Sequence, residues 1–442
     1  MPPGIHRRPL GPSLSPYSAL TLPYQRPQSA LCGKCDTVAF RSRITHVRTV
    51  YRQSPSYTHL ATLVDDLSPV VSSHLEQSET QRHLHADVAM HMARAGLYRV
   101  GVPQQLGGAE CHPEEQIRVI EAISRMHGSA GWNLMIGIEV MGALSAAYPV
   151  EVLKPIFDDP ELIISGALNP LGNAWEEKDH YNVDGQWPFA SGVHNAHYFW
   201  SQSFLVTGHR SKEKVRDEHG PLLIESLVPR DQFTILDTWH VSGMRASGSH
   251  DVRIDNLAVP TQLISKSSRK ADYQTGTLFR LPPHSRLAFN KVGVATGIAL
   301  AAIDAFTELA TAKKPRASSS KLAEREDAQW ALAQAERLVG AARAYVFDRI
   351  GEMWHQVEKG DSPSREDRAR LQLACSAAAQ DTVTAVEHLH AASGVSANFL
   401  TSPLERLRRD VAVVRQHIMV SPQYQHAVGR VLLGLDSGTF LF

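Results

Sequence analysis

ISGALNPLGNAWEEKDHYNVDGQWPFASGVHNAHYFWSQSFLVTG (164–208) is the stretch on which the fold turns. Its apolar residues come in short runs, β-branched or aromatic, interrupted every few positions by Gly, Pro or Asp-Gly, which is how strands and their turns read. Asp184-Gly185 has the composition of a hairpin turn. The pattern continues through LLIESLVP (222–229), FTILDTW (233–239) and HDVRIDNLAVP (250–260). Residues 163–265 are therefore expected to form an antiparallel sandwich or barrel.

On both sides the periodicity changes from two to three and four. ATLVDDLSPVVSSHLEQSETQRHLHADVAMHMARAGLYRV (61–100) places apolar residues at helical spacing, and PEEQIRVIEAISRM (113–126) opens with a proline and two acids, a good helix start. SAGWNLMIGIEVMGALSAAY (129–148) is apolar nearly all round and predicts a helix buried on most sides. Residues 56–162 thus read as a helical domain. After the strands, helical stretches are expected at 286–312, 322–358, 365–393 and 403–434, divided by KKPRASSS, KGDSPS and SGVSANFLTSP. These make a four-helix bundle over 280–442. The fold class is α+β and multidomain: an N-terminal helical domain, a middle β-barrel or sandwich, and a C-terminal four-helix bundle.

Composition excludes several classes of function. The 442 residues carry 45 basic and 45 acidic side chains, so no basic face for nucleic acid is expected. No uninterrupted apolar run reaches about 18 residues, which argues against a membrane span. Four cysteines (Cys32, Cys35, Cys111 and Cys375) are too few for a disulfide scaffold and fit a reducing cytoplasm. The first 55 residues hold seven Arg, one Lys, eight Pro and a single acid, Asp36, with no apolar pattern that could pack. They read as a disordered tail, an upstream start-site artefact, or an organelle transit peptide. Cys32-Gly-Lys-Cys35 has no second cysteine pair to complete a zinc site.

The order helices, strands, bundle, at these lengths, resembles the acyl-CoA dehydrogenase fold over residues 56–442. Five strings in the right order carry the resemblance: GSAGWNLMIG (128–137), ISGALNPLGNA (164–174), YNVDGQWPFASGVHNAHYF (181–199), TWHVSGMRASGSHDVRIDNLAVP (238–260) and LERLRRD (404–410). In the dehydrogenases a Glu-Gly-Thr string commonly follows the Arg-Asp pair and supplies the catalytic carboxylate. Here Arg409-Asp410 is followed by VAVVRQHIMVSP, which holds no acid but does hold His417, and the dehydrogenases' Glu-Pro flavin loop reads Asn169-Pro170. NPLG, WPFASG and RQH are together similar to the two-component flavin monooxygenases of this fold, such as the oxygenase components for p-hydroxyphenylacetate and dibenzothiophene. A dehydrogenase with FAD and a scaffold that has lost its cofactor are the alternatives.

The resemblance implies a site. Ser191 would stand beside the flavin N5, where a hydroxyl can both donate and accept. His417 would be the acid–base residue, since imidazole alone titrates near neutrality without perturbation. Ala167, Asn169 and Phe189 would meet the flavin ring, Gln329 and Arg343 its phosphate or adenine, and Trp132 and Asn133 would wall the substrate pocket. The cofactor would be FMN or FAD, with O2 as co-substrate. No two of the 29 glycines lie two positions apart, so the chain has no G-x-G-x-x-G nicotinamide fingerprint. Reduced flavin is then expected from a separate reductase. His194 and His197, three apart, lack a carboxylate or thiolate to complete a metal set, and His83, His85 and His91 read as a solvated helix face. The apolar surplus of 286–312 and 403–434 predicts a homotetramer, with LGLDSGTFLF at or near the contact.

Overall fold

Residues 66–209, 212–266 and 273–439 are described by a computed structural model of the chain. The readings that concern residues 1–55, including Cys32 and Cys35, lie outside them. The helical part holds α1 (Leu75–Gln81), α2 (Ala86–Arg94), α3 (Pro113–Met126), α4 (Gly128–Ala147) and α5 (Val150–Phe157). Proline at its first position and His112 Nδ1, which accepts the Glu114 N–H at 3.1 Å, start α3. The extended backbone of His127 (φ −155°) ends it, and α4 begins at the next residue. One residue therefore sets the angle between the two helices that line the site.

The strands are β1 (Ile164–Glu176), β2 (His180–Trp187), β3 (Tyr198–Leu205), β4 (Arg216–Asp217), β5 (Gly220–Pro221), β6 (Leu223–Pro229), β7 (Thr234–Leu236), β8 (Asp251–Pro260) and β9 (Ile264–Ser265). Seven of them form one mixed sheet in the order β7-β8-β2-β1-β3-β6-β9, and β4 pairs with β5 apart from it. The expected all-antiparallel arrangement is corrected at one place. β1 and β3 run parallel, because the chain leaving β2 crosses to the far side of β1 before β3 begins. That crossover, residues 188–197, carries Ser191.

A second correction concerns Asp184-Gly185, which lies inside β2 and not in a turn. The turn of the β1–β2 hairpin is at 177–179, closed by Glu177 N–H to His180 C=O at 2.9 Å. Gly185 serves a close approach instead: a Cβ there would stand 2.6 Å from the Cα of Gly172, where the register of β1 also shifts.

The bundle consists of α6 (Pro283–Ala312), α7 (Glu326–Glu358), α8 (Arg365–Ser393), α9 (Pro403–Val414) and α10 (Gln425–Leu432). The single helix expected over 403–434 is broken between Val414 and Gln425. His417 Nδ1 accepts the Met419 N–H at 3.2 Å and opens a tight turn at Ile418–Val420, and Pro422, which has no N–H, opens the next. α4 and α6 are long and apolar enough to cross a membrane, but most of each is buried inside the protein, where they pack on one another and on α3. Much of the apolar surface of 286–312 is covered in this way by the first helical part.

Candidate functional site

The crossover loop reaches its place through backbone that leaves the ordinary regions. Phe189 has φ +64° and Gly192 φ +75°, and both flanking amides are pinned: Ala190 N–H to His250 C=O and Gly192 N–H to Ser247 C=O, each at 3.0 Å. Between them sits Ser191, buried. Its Oγ accepts the indole N–H of Trp132 at 3.0 Å and lies 2.7 Å from Ser249 Oγ, which lies 2.8 Å from Ser247 Oγ. Its carbonyl accepts from Ser165 Oγ at 2.9 Å. Three hydroxyls thus form a chain ending at Ser191.

The 242–249 segment that supplies two of those hydroxyls is strapped to the bundle. Asp410, fully buried, accepts the Met244 N–H at 2.6 Å and faces Arg406 at 3.5 Å. Arg409 pairs with Glu405 and donates to the Ser242 carbonyl. Gly243 permits the approach, since a Cβ there would lie 2.3 Å from the Arg409 carbonyl oxygen. The Arg-Asp pair therefore positions the serine loop.

His417 enters from the α9–α10 connection, its ring edge-on to Trp132 with centroids 5.5 Å apart. Burial holds its pKa well below the ordinary histidine value, and the nearby Lys291 cation pushes the same way. The ring is therefore neutral. With Nδ1 accepting from Met419, the proton resides on Nε2, which has no hydrogen-bond partner among the described residues.

Lys291 forms a buried ion pair with Glu139 of α4 and touches Met135 Sδ at 3.5 Å. Burial raises the Glu139 pKa to about 7 against the opposing pull of Lys291, and burial lowers that of Lys291. Trp132, Met135 and Glu139 share one face of α4. Beyond Glu139 a cleft of about 550 Å³ opens between α4, α6 and the sheet, lined by Ile138, Leu168, Trp200, Arg286 and Asn290 among others. Glu139 Oε1, Arg286 Nε and Asn290 Oδ1 on its walls are buried without a partner among the described residues, as is Asn133 Oδ1 near Ser191.

Six of the residues expected at the site lie on its elements: Trp132 and Asn133 on α4, Ala167 and Asn169 on β1, and Phe189 and Ser191 in the crossover. His417 faces them from the bundle. Ala167 is buried, whereas Asn169, Leu168, Leu171 and Phe189 are exposed, Phe189 to 67%. Gln329 and Arg343 are not brought to this cluster. Gln329, on the exposed first turn of α7, donates to the Ala323 carbonyl at 3.1 Å, and Arg343, about 21 Å along the helix, pairs with Glu121 of α3 at 3.1 Å. His194 stacks on His83 at 4.1 Å, and His197 Nδ1 accepts the Ile163 N–H at 3.2 Å, so each is engaged separately. Of the solvated helix face expected for His83, His85 and His91, only His91 lies exposed on α2, since His83 stacks on that half-buried ring and His85 caps the helix.

Sequence reasoning missed Ser247, Ser249, Glu139 and Lys291. The signals were there: serines at alternate positions in ASGSHD (246–251), and a lone acid and a lone lysine inside the most apolar helices.

Two segments of the chain match a known family: residues 62–149 the acyl-CoA dehydrogenase N-terminal domain, and residues 291–422 its C-terminal domain. The chain is 29% identical over 355 residues to indole-3-acetate monooxygenase of Pseudomonas putida, covering 80% of this chain and 88% of that one. It is 24% identical over 370 residues to the flavin-dependent monooxygenase oxygenase subunit HsaA of Rhodococcus jostii, covering 81% and 94%. Among solved structures, XiaF from Streptomyces sp. in complex with FADH2 and glycerol superposes with a TM-score of 0.79 at 22% identity, covering 86% of this chain and 96% of that one. On either side of its sheet the chain carries segments that match the N-terminal and C-terminal domains of acyl-CoA dehydrogenases.

Proposed function

We propose that the chain is the oxygenase component of a flavin-dependent monooxygenase, using reduced FMN or FAD and O2 to hydroxylate a small aromatic or heteroatom-bearing molecule. The observation that carries this is the meeting of Ser191, Trp132 and His417 from three separate regions, in a chain similar to an indole-3-acetate monooxygenase and to a flavin-dependent monooxygenase oxygenase subunit.

The residues present fit a flavin. Exposed Leu168, Leu171 and Phe189 offer apolar cover for a flat ring, and the buried, unpartnered Asn133 Oδ1 and the Ser191 hydroxyl offer polar contacts for its rim. Ala167 and Asn169 would add contacts from β1. Bound reduced flavin supplies the two electrons that activate oxygen. The chain does the rest. Ser191 Oγ already accepts the Trp132 N–H and shares a proton with Ser249, so it can hold a proton at the flavin edge and return it along the serine chain. His417 keeps Nε2–H as a donor aimed from a neutral ring, suited to giving a hydrogen bond to a developing oxyanion. Trp132 closes the wall between them and excludes water. Glu139 lines the cleft, but its carboxylate is held by Lys291, which disfavours the dehydrogenase alternative.

Reduced flavin comes from a separate reductase in this reading. Supplied with NADH alone, the protein should oxidise none; supplied with reduced flavin, oxygen and an aromatic substrate, it should release hydroxylated product. Robust NADH turnover without a reductase refutes the reading. A cytoplasmic homotetramer is part of it, supported by exposed Val395, Phe399 and Leu400 at one end of the bundle and Leu432, Leu433 and Leu435 near the chain end. Sedimentation velocity tests the assembly against the 48.7 kDa monomer.

A further inference from the structure

The cleft beyond Glu139 has a chemistry of its own. Arg286 stands at its wall on the first turn of α6, over the Phe279 ring at 5.5 Å, and its Nε is buried with no hydrogen bond. Among the described residues no carboxylate lies within ion-pair distance of its guanidinium. The acids nearby are engaged elsewhere, Glu139 by Lys291 and Glu225 by the Gln202 amide at 3.3 Å. Burial alone, with no countercharge to oppose it, brings the Arg286 pKa down to about 10. A half-buried cation without a counter-ion is costly to maintain in a fold. A guanidinium's planar fork matches a carboxylate through two parallel N–H···O bonds.

The other orphaned atoms complete the inventory. Among the described residues, Glu139 Oε1 and Asn290 Oδ1 are buried acceptors without donors, and Ser265 Oγ is a buried hydroxyl with no partner. Asn290 lies one helical turn from Arg286, so both reach the same wall. The walls thus present one fixed cationic donor and two acceptors, set in apolar surface from Ile138, Leu168 and Leu287. A ligand that satisfies all of them carries an anion, a ring N–H or O–H, and a flat apolar body. The volume of about 550 Å³ lies within the usual range for small-molecule sites. Trp132 and Glu139 are seven residues apart on α4, about 10 Å along its axis. A ligand anchored at Arg286 would therefore extend from the cleft towards Trp132 and His417.

We propose that this cleft selects an aromatic carboxylate, with the Arg286 guanidinium holding its carboxylate and Glu139 and Asn290 receiving a ring N–H or O–H. The proposal rests on the oxygenase reading in taking the cleft as the substrate site, but it adds a charge requirement that nothing in that reading demands.

Equilibrium titration without turnover tests it, with indole-3-acetate, 4-hydroxyphenylacetate and 4-hydroxybenzoate each set against its primary amide. At least one acid should bind the wild-type protein about 30-fold more tightly than its amide, the scale of a hydrogen bond to a charged group. Arg286→Met should bring acid and amide together while leaving amide binding in place, and Arg286→Lys should restore part of the preference. The proposal is overturned if no acid is preferred by the wild-type protein, if Arg286→Met keeps the preference, or if acid and amide weaken alike. Hydroxylation of neutral aromatics with no acid preference would sink the anion site and leave the oxygenase reading standing. An acid preference with no hydroxylation from reduced flavin and oxygen would do the reverse.

Discussion

Replacing Asp410 with alanine tests the strap between the bundle and the serine loop. The carboxylate is fully buried, accepts the Met244 N–H at 2.6 Å and faces Arg406 at 3.5 Å. Alanine leaves a buried amide and a largely buried guanidinium without their partner, a change that costs about 3–5 kcal/mol. At an unfolding entropy of about 2.1 cal/mol/K per residue, a chain of this length should melt about 3–6 °C lower. Asp410→Asn keeps an oxygen for Met244 and removes only the charge facing Arg406, so its loss should be smaller. Thermal melts at one scan rate, with urea midpoints alongside, read both variants. Because Ser247 and Ser249 ride on the strapped segment, Asp410→Ala should also weaken reduced-flavin binding. A melting temperature unchanged within a degree would refute the reasoning, and so would asparagine proving as damaging as alanine.

Trp132→Phe removes the indole N–H from Ser191 and should lower the ratio of product to released peroxide, with a stability loss of about 1–2 kcal/mol; an unchanged ratio would make Trp132 a core residue only. His417 is neutral in the fold at a pH where the unfolded chain's histidine takes up a proton, so its contribution is fully present above about pH 6.5 and is lost below it, at about 1.4 kcal/mol per pH unit. His417→Gln should flatten the fall in melting temperature between about pH 6.5 and 5 while reducing hydroxylation at neutral pH, and an identical acid profile would show that the histidine protonates freely. Lys291→Met strands Glu139 in the interior and should cost about 3–5 kcal/mol, most of it recovered by adding Glu139→Leu; denaturation of the single and double variants decides whether the pair behaves as a unit.

The order of the three regions was legible because periodicity is local: strand spacing at 164–208 and helical spacing around it need no knowledge of distant residues. The parallel β1–β3 pair was not legible, since its alternative, a plain meander, satisfies the same alternation, and only contacts between remote segments choose. Asp184-Gly185 misled for a related reason. The glycine answers to Gly172, a neighbour across the sheet, and not to a turn. The break in 403–434 hid behind continuous apolar spacing, although Pro422 was a visible stop. At the site, Ser191, Trp132 and His417 came from resemblance, and the structure brings them together. Glu139, the one charge of its helix, and Lys291, the one lysine of its own, were visible in apolar helices, but their partnership is a tertiary fact. Arg343, read as a phosphate contact, finds Glu121 first.

The crossover at 188–197 bears on the order in which the protein folds. The loop can take its left-handed turns only after β1 has paired with β2 and the 244–250 segment has come alongside, and that segment waits in turn on α9, some 160 residues later in the chain. Pairings of such sequence separation form late and slowly. Ser191 should therefore be among the last groups to reach its place during refolding, so recovery of reduced-flavin binding should lag behind recovery of helix content. A nascent chain still lacking α9 would present an unfinished loop to any flavin it met.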